Sequence, residues 1–140
     1  MSPELTNFLK ENFSFLSNLR YISCGDGWFN IIRDLSQYIL DLQPPDHFEV
    51  IQIKEKFGGL RYYYKMYQRL GDQNHPYMMI EETLHEFNKC TEFLQKLQYI
   101  VMNAESNSYI TCEYCGKPAF SIGKGLWIKT LCDEHKGNKT

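Results

Sequence analysis

Four residues near the end of the chain have the types and spacing of metal ligands. Cys112 and Cys115 are separated by two residues, and sixteen residues later Cys132 and His135 repeat that spacing. Two ligands three positions apart lie on one tight turn and reach the same ion, and Gly116 suits the sharp backbone of such a turn. Three thiolates and one imidazole form a closed tetrahedral set around Zn2+, with no position left for a reacting water. The sequence therefore predicts one structural zinc ion.

The surrounding residues predict a small zinc module over 109–140, next to a body formed by 1–108. Segments 119–122 and 126–128 are expected to pair as a hairpin that turns at 123–125. Asp133 and Glu134 then fall in the first turn of a short helix, where carboxylates suit the helix dipole. This order of elements is typical of a treble-clef-like module, and a ribbon-like module without the helix is the alternative.

A second group of candidate residues lies on a predicted β-hairpin over 48–67. If Gly58-Gly59 forms a two-residue loop, Lys56 faces Arg61, and alternation sorts the side chains onto two faces. One face is apolar, with Glu55 as its only charge. The other face, called the basic face below, carries these residues: Lys54, Lys56, Arg61, Tyr63 and Lys65.

The basic face has two interpretations. Like charges directly opposite each other are unfavourable on a sheet, which favours an external anion: a phosphate, a nucleotide, a nucleic-acid backbone or an acidic protein surface. The alternative is that the face is simply solvated, or is neutralised by glutamates of the following helix, which are Glu81, Glu82, Glu86 and Glu92.

The elements that must position these residues follow from periodicity. An apolar pattern predicts helix over 2–19, or two shorter helices, and a clean amphipathic helix from Trp28 to Leu42 with Asp26 as its N-cap. A second long helix is expected from Pro76 to Glu105, with a break near Asn88 as an option. The predicted fold is α+β, with helices packed on the hairpin and a small C-terminal zinc module.

Composition narrows the function classes. The 140 residues, 43% of them hydrophobic, indicate one domain or one domain with a small appendage. A formal net charge of −2 without a long basic stripe makes nucleic acid a less favoured partner. There is no apolar run long enough for a membrane span and no signal peptide, so we expect a cytoplasmic protein with no membrane partner.

The chain carries no familiar catalytic signature. A P-loop, a G-x-S-x-G motif and a paired-carboxylate pattern are all absent from the sequence. Glu55 or Asp26 would serve as acid or base only if a pocket opened beside the hairpin. Cys24 is either a reactive thiol or an inert packing residue. We therefore expect no catalytic residues.

Two segments in tandem resemble a known family. The first runs from Gln52 to Tyr63 and contains K-E-K-F-G-G-L-R, and the second contains C-E-Y-C-G-K-P and W-I-K-T-L-C-D-E-H. Together they are similar to a family of small, largely uncharacterised bacteriophage and bacterial proteins that pair such a segment with a C-terminal zinc finger. Gly27-Trp28 is similar to the N-terminal part of that family. The resemblance implies zinc at the four ligands and a common role for Lys54, Lys56 and Arg61, and it implies no particular activity.

The leading hypothesis is a non-enzymatic zinc-binding interaction protein that uses the basic face, and the module surface around Lys124 and Trp127, to bind an anionic or acidic partner. A phage setting implies a modulator of a host process, in the host cytoplasm. The alternatives are a nucleotide-binding or nucleotide-sequestering protein, a nucleic-acid-processing enzyme with a site between hairpin and helices, and a DNA-binding zinc finger.

Overall fold

The computed structural model describes residues 1–66 and 81–138, without the side chains of 81–90 and 138. The described helices are α1 (Pro3–Asn12), α2 (Phe29–Asp41) and α3 (Glu81–Ser108). Strands β1 (Phe48–Lys56) and β2 (Gly59–Met66) form one antiparallel sheet, and β3 (Phe120–Ile122) and β4 (Lys129–Leu131) form another. Short 3-10 turns occupy Ser14–Leu16, Asp26–Trp28, Gly125–Trp127 and Lys136–Asn138. The α+β prediction, with helices packed on a hairpin, is confirmed.

The predicted helix over 2–19 divides into an α-helix and a 3-10 turn. Pro3 fits the first turn of α1 because its missing N–H would have no partner there. The helix ends where Phe13 turns to extended backbone, with φ at −129°. The 3-10 turn that follows buries Phe15 and Leu16 in the core.

Helix α2 has the predicted amphipathic stripe. Trp28, Ile32, Leu35 and Ile39 are all buried. The prediction that Asp26 caps this helix is wrong, because Trp28 is its N-cap residue and no side chain bonds there. The carboxylate of Asp26 instead accepts a 2.7 Å hydrogen bond from the N–H of Ser2, the residue before α1.

The hairpin turns one residue earlier than predicted. Phe57 and Gly58 have φ values of 54° and 81°, and Lys56 pairs with Gly59, so Phe57-Gly58 is the two-residue loop. Positive φ at both positions matches the turn that suits the twist of a hairpin. Lys54 therefore lies opposite Arg61, and the predicted pairing of Lys56 with Arg61 is wrong. The error moves the partner by two positions, so the division into two faces is unchanged for the paired residues from Gln52 to Lys56.

A bulge changes which residue of β1 enters the core. The register shifts between Val50 and Gln52, so Val50 is buried and Ile51 is exposed, although strict alternation from Ile53 predicts Ile51 on the apolar face. One extra residue in a strand reverses the alternation beyond it. Phe48 consequently points into the core, where its ring packs edge-on against Phe93 of α3.

Helix α3 closes the core over the hairpin. It is continuous from Glu81 to Ser108, so the break considered near Asn88 does not occur. The expected start at Pro76 lies outside the described residues. The buried Ser108 hydroxyl accepts a 2.8 Å hydrogen bond from the N–H of Leu60, which ties the end of the helix to β2. None of the described helices combines the length and the apolar character that crossing a bilayer requires.

Candidate metal centre

The first pair of candidate ligands lies on a tight loop after α3. Thr111 and Pro118 form an antiparallel bridge, and the N–H of Cys112 donates to the carbonyl of Lys117 at 2.8 Å. The chain reverses at Gly116, whose φ of 81° lies in the left-handed region, and its N–H donates to the carbonyl of Cys112. This loop directs both thiols toward the same point.

The second pair follows β4. The N–H groups of His135 and Lys136 both donate to the carbonyl of Cys132, at 3.0 and 2.9 Å, which forms a second tight turn. Strand β4 lies three residues later than the predicted strand over 126–128, because Gly125–Trp127 forms a 3-10 turn instead. Up to residue 138, a 3-10 turn at Lys136–Asn138 takes the place of the expected short helix at Asp133 and Glu134.

The structure brings the four predicted ligands into one cluster. Their ligand atoms all lie within 4.8 Å of one another. Cys112 Sγ is 3.6 Å from His135 Nδ1, Cys132 Sγ is 3.2 Å from the same nitrogen, and the sulfurs of Cys115 and Cys132 are 3.6 Å apart. Ligands of a tetrahedral zinc ion at its usual bond lengths would be separated by about 3.5 to about 3.8 Å. The cluster thus has the size that a metal ion needs.

The surroundings of the Cys112 thiol lower its pKa. Burial opposes the charge, but backbone N–H groups of Cys132, Cys115 and Tyr114 bond to the sulfur and lower its pKa to about 6. Metal ligands must be deprotonated, so a thiol that already favours the thiolate form binds a metal more readily. The thiol of Cys24 favours the protonated form instead, because burial raises its pKa to about 12. This is the behaviour of an inert packing residue.

The first ligand loop lies directly on the segment that precedes α2. The N–H of Gly27 donates to the carbonyl of Glu113 at 2.7 Å, and the indole N–H of Trp28 donates to the carbonyl of Thr111 at 2.8 Å. A Cβ added to Gly27 would lie 2.1 Å from the carbonyl oxygen of Cys112. The approach is therefore possible only for glycine at this position.

Three charged side chains join the cluster to the hairpin. Lys129 Nζ lies 2.6 Å from Glu55 Oε1 and 3.5 Å from Glu113 Oε1. The other oxygen of Glu113 accepts from the N–H of Gly25, and the other oxygen of Glu55 accepts from the N–H of Gly58. Burial disfavours the ammonium of Lys129, but its contacts with the two carboxylates outweigh this and raise its pKa.

The hairpin turn itself rests on the module. The hydroxyl of Thr130, which is fully buried, donates to the carbonyl of Gly58 at 2.6 Å. A Cβ on Gly59 would lie 2.2 Å from the ring of Tyr109, just after α3. Gly58 and Gly59, which the sequence pattern assigns to the turn, thus also leave room for the side chains of Thr130 and Tyr109.

Two residues of the basic face, Arg61 and Lys65, contact polar or acidic neighbours, and two others, Lys54 and Lys56, each lie over an aromatic ring. Arg61 donates to the carbonyl of Leu60 and to the hydroxyl of Tyr109, at 3.0 and 3.2 Å, and Lys65 pairs with Glu49 at 3.5 Å. Lys54 lies over the ring of Tyr63. Lys56 lies over the ring of Phe57. Among the side chains that the structure describes, no carboxylate pairs with Lys54 or Lys56.

The residues considered as neutralising partners are only partly described. Glu92 pairs with Lys96 on α3 at 3.2 Å and not with the basic face. The side chains of Glu81, Glu82 and Glu86 lie outside the described part of the chain.

Comparisons of the chain with protein-family models, with curated proteins and with solved structures give no match.

Sequence reasoning missed the residues that hold the cluster against the body. Glu113 and Lys129 lie beside ligands, but nothing in their local pattern marks them as partners of Gly25 and Glu55. The apolar face that contains Glu55 was the available signal, because a lone carboxylate on such a face requires a partner. That partner lies 74 residues away in the sequence.

Proposed function

We propose that this chain is a non-enzymatic zinc-binding interaction protein, in which a structural zinc ion fixes the C-terminal module against the hairpin and the joined surface binds an acidic protein. The observation that carries the proposal is the direct contact between module and hairpin turn. Lys129 pairs with Glu55 and Thr130 bonds to Gly58, each at 2.6 Å. Loss of the metal would release this contact.

The chemistry of the donor set supports zinc. Three sulfurs and one imidazole nitrogen at tetrahedral spacing suit Zn2+, and all four coordination positions are supplied by the chain. An ion enclosed in this way has no open position for substrate, so its role is to hold structure. A module of this size gains much of its folding free energy from such an ion.

The surface next to this contact has the composition of a binding site. Phe57 is 41% exposed and Trp127 is 71% exposed, although both are large apolar side chains. They lie on adjoining segments, because Gly58 and Ile128, the residues that follow them, face each other. Exposed aromatic residues often dominate the affinity of protein interfaces. The ammonium groups of Lys54 and Lys56, which pair with no carboxylate among the described side chains, favour a partner with acidic side chains.

The enzyme alternative receives little support from the proposed acid and base. Both oxygens of Glu55 are occupied, one by Lys129 and one by the N–H of Gly58. Asp26 is exposed and bonds to the N–H of Ser2. Both carboxylates therefore have structural roles that explain their positions.

This proposal explains why the two motifs of the resembled family occur in the same chain. Glu55 and Gly58 belong to the first motif, and they contact Lys129 and Thr130 of the second. We infer that the motifs occur together because each completes the other's contacts. The phage setting that the resemblance implies leads us to propose a host protein as the acidic partner.

The test is a charge reversal on the exposed lysines. We expect Lys54→Glu with Lys56→Glu to lower the affinity for poly-glutamate about tenfold or more at low salt, with an unchanged melting temperature. Arg20→Glu with Lys96→Glu makes the same change of net charge on other surfaces and should have little effect. Emission from Trp127 reports binding, because Trp28 is fully buried.

Two outcomes would contradict the proposal. One is equal loss of affinity in the two double variants, which would show that only net charge matters. The other is preferential binding of a single-stranded oligonucleotide, with affinity that falls steeply as salt rises, which would indicate a nucleic-acid partner instead.

A further inference from the structure

The structure contains an open groove between α2 and α3, on a part of the body that neither the metal cluster nor the basic face uses. Its volume is about 520 Å³. Each helix contributes five residues at positions i, i+1, i+4, i+5 and i+8, starting from Asn30 on α2 and from Tyr99 on α3. This spacing gives each helix one row of side chains on the floor and one on the rim.

The two helices run antiparallel along the groove. The indole of Trp28, just before α2, bonds to the carbonyl of Thr111, just after α3, so the start of one helix lies beside the end of the other. Asn30 and Asn107 therefore share one end of the groove, and Tyr38 and Tyr99 share the other. Eight residues of helix between Asn30 and Tyr38 correspond to a length of about 12 Å.

The floor of the groove is apolar and its rim is polar. The floor consists of Ile31, Leu35, Ile100 and Ala104. On the rim, the side-chain amides of Asn30, Asn103 and Asn107 form no hydrogen bond within the described part of the chain, and neither do the hydroxyls of Tyr38 and Tyr99. The tyrosines are 61% and 68% exposed. A binding site commonly combines an apolar floor with a few polar groups that converge on it.

The charges of the groove define the class of ligand. Among the described lining residues there is no lysine or arginine, so no cationic side chain of that lining would hold a phosphate or a carboxylate. Asp34 is the one charged residue of the rim, and Arg33 already bonds to one of its oxygens at 3.1 and 3.2 Å. The Arg33–Asp34 pair carries no net charge, so the described lining offers no uncompensated charge to an ionic ligand. The ligand that fits is uncharged.

We propose that this groove binds a neutral saccharide of about disaccharide size. A primary amide offers a donor and an acceptor side by side, which suits neighbouring hydroxyl groups that each donate and accept. Tyrosine rings offer flat apolar surface with a polar tip, which suits the C–H faces and the edges of a sugar ring. The amides at one end of the groove and the tyrosines at the other supply both kinds of contact.

The test is an NMR titration of the zinc-loaded full chain with cellobiose, maltose, lactose and N,N′-diacetylchitobiose. We expect at least one of them to cause saturable shifts of backbone amides along the facing sides of α2 and α3. Tyr99→Ala and Asn103→Ala should each weaken that binding about tenfold, the factor that one hydrogen bond or ring contact contributes. Tyr21→Ala is the matched control, because Tyr21 is 69% exposed and lies outside the groove.

Three results would overturn the proposal. The first is the absence of saturable shifts with all four saccharides. The second is binding that Tyr99→Ala and Tyr21→Ala leave equally strong. The third is saturable binding in the groove of a capped tetra-alanine peptide or of adenosine without binding of any saccharide, which would assign the groove to an extended peptide or to a nucleoside. The proposal does not depend on the basic face, so the charge-reversal variants should bind the saccharide normally.

Discussion

Replacing Gly27 by alanine should undock the first ligand loop from the body. The added Cβ would lie 2.1 Å from the carbonyl oxygen of Cys112, and 2.6 and 2.7 Å from the backbone nitrogens of Gly116 and Cys115. All three atoms belong to backbone, so no side chain can rotate away. The loop must therefore move by about 1 Å, and a densely packed contact does not absorb such a shift.

The cost of this shift follows from the hydrogen bonds that it breaks. The loop receives three from the body, donated by the N–H groups of Gly25 and Gly27 and by the indole of Trp28, at 2.9, 2.7 and 2.8 Å. Each contributes about 0.5 to about 1.5 kcal/mol, or more for the bond to the carboxylate of Glu113. Alanine restricts the unfolded chain and returns about 0.4 to about 1 kcal/mol. With about 1 kcal/mol for each of the two bonds to carbonyl groups and about 2 kcal/mol for the bond to the carboxylate, the expected net loss is about 3 kcal/mol.

The assay is thermal unfolding of the zinc-loaded protein. For a chain of this size, the loss corresponds to a melting temperature lower by about 6 to about 12 °C. Gly137→Ala is the matched control, because a Cβ there meets nothing within 4 Å and the melting temperature should not change. A Gly27→Ala protein that melts with the wild type would refute the contact between ligand loop and body.

Two further predictions concern one part-buried and one buried polar contact. Lys129→Met leaves Glu55 and Glu113 without their shared cation, so urea unfolding should show a free energy lower by about 2 kcal/mol at neutral pH. Because the folded-state pKa of Lys129 is raised above 10.5, the contribution of its ammonium is complete below pH 10.5 and is lost as the pH rises further. The variant should lack this part of the alkaline loss of stability, and identical pH profiles would contradict the ion pair. Ser36 and Tyr62 share a buried hydrogen bond of 3.0 Å, so Ser36→Ala and Tyr62→Phe should each cost about 1 kcal/mol or more, and the double variant less than their sum. Strictly additive losses would show that the two hydroxyls do not interact.

Much of the fold could be predicted because the decisive patterns are local. The spacing of Trp28, Ile32, Leu35 and Ile39 is sufficient to define α2 and its buried face. The ligand positions are local in the same way, because each pair of ligands needs only a tight turn. Such patterns depend on a few successive residues and require no knowledge of the rest of the chain.

The hairpin loop shows why the remainder could not be predicted. Gly58-Gly59 is the better loop by local preference, since an aromatic residue rarely adopts the positive φ that Phe57 has. One local contact and one distant contact stabilise the observed loop. The Glu55 carboxylate accepts from the N–H of Gly58, and Thr130 donates to the carbonyl of Gly58. The second of these contacts spans 72 residues, which no sequence window covers.

The same separation explains what could not be predicted at the metal centre. The bonds from Gly25 and Trp28 to the first ligand loop span 88 and 83 residues. At Asp26 a local rule predicts a contact that does not form. Its position before a helix predicts a local cap, but its carboxylate accepts a hydrogen bond from the N–H of Ser2, 24 residues away. Local rules identify the ligands and not the surface on which they rest.

Native mass spectrometry of the protein purified from cells without added metal tests the proposal of a structural zinc ion most directly. We predict one Zn2+ per chain, and its loss in Cys115→Ser, a variant that removes one of the four ligands. A chain that carries no zinc, or one that retains zinc after Cys115→Ser and after loss of a second ligand, would contradict the site.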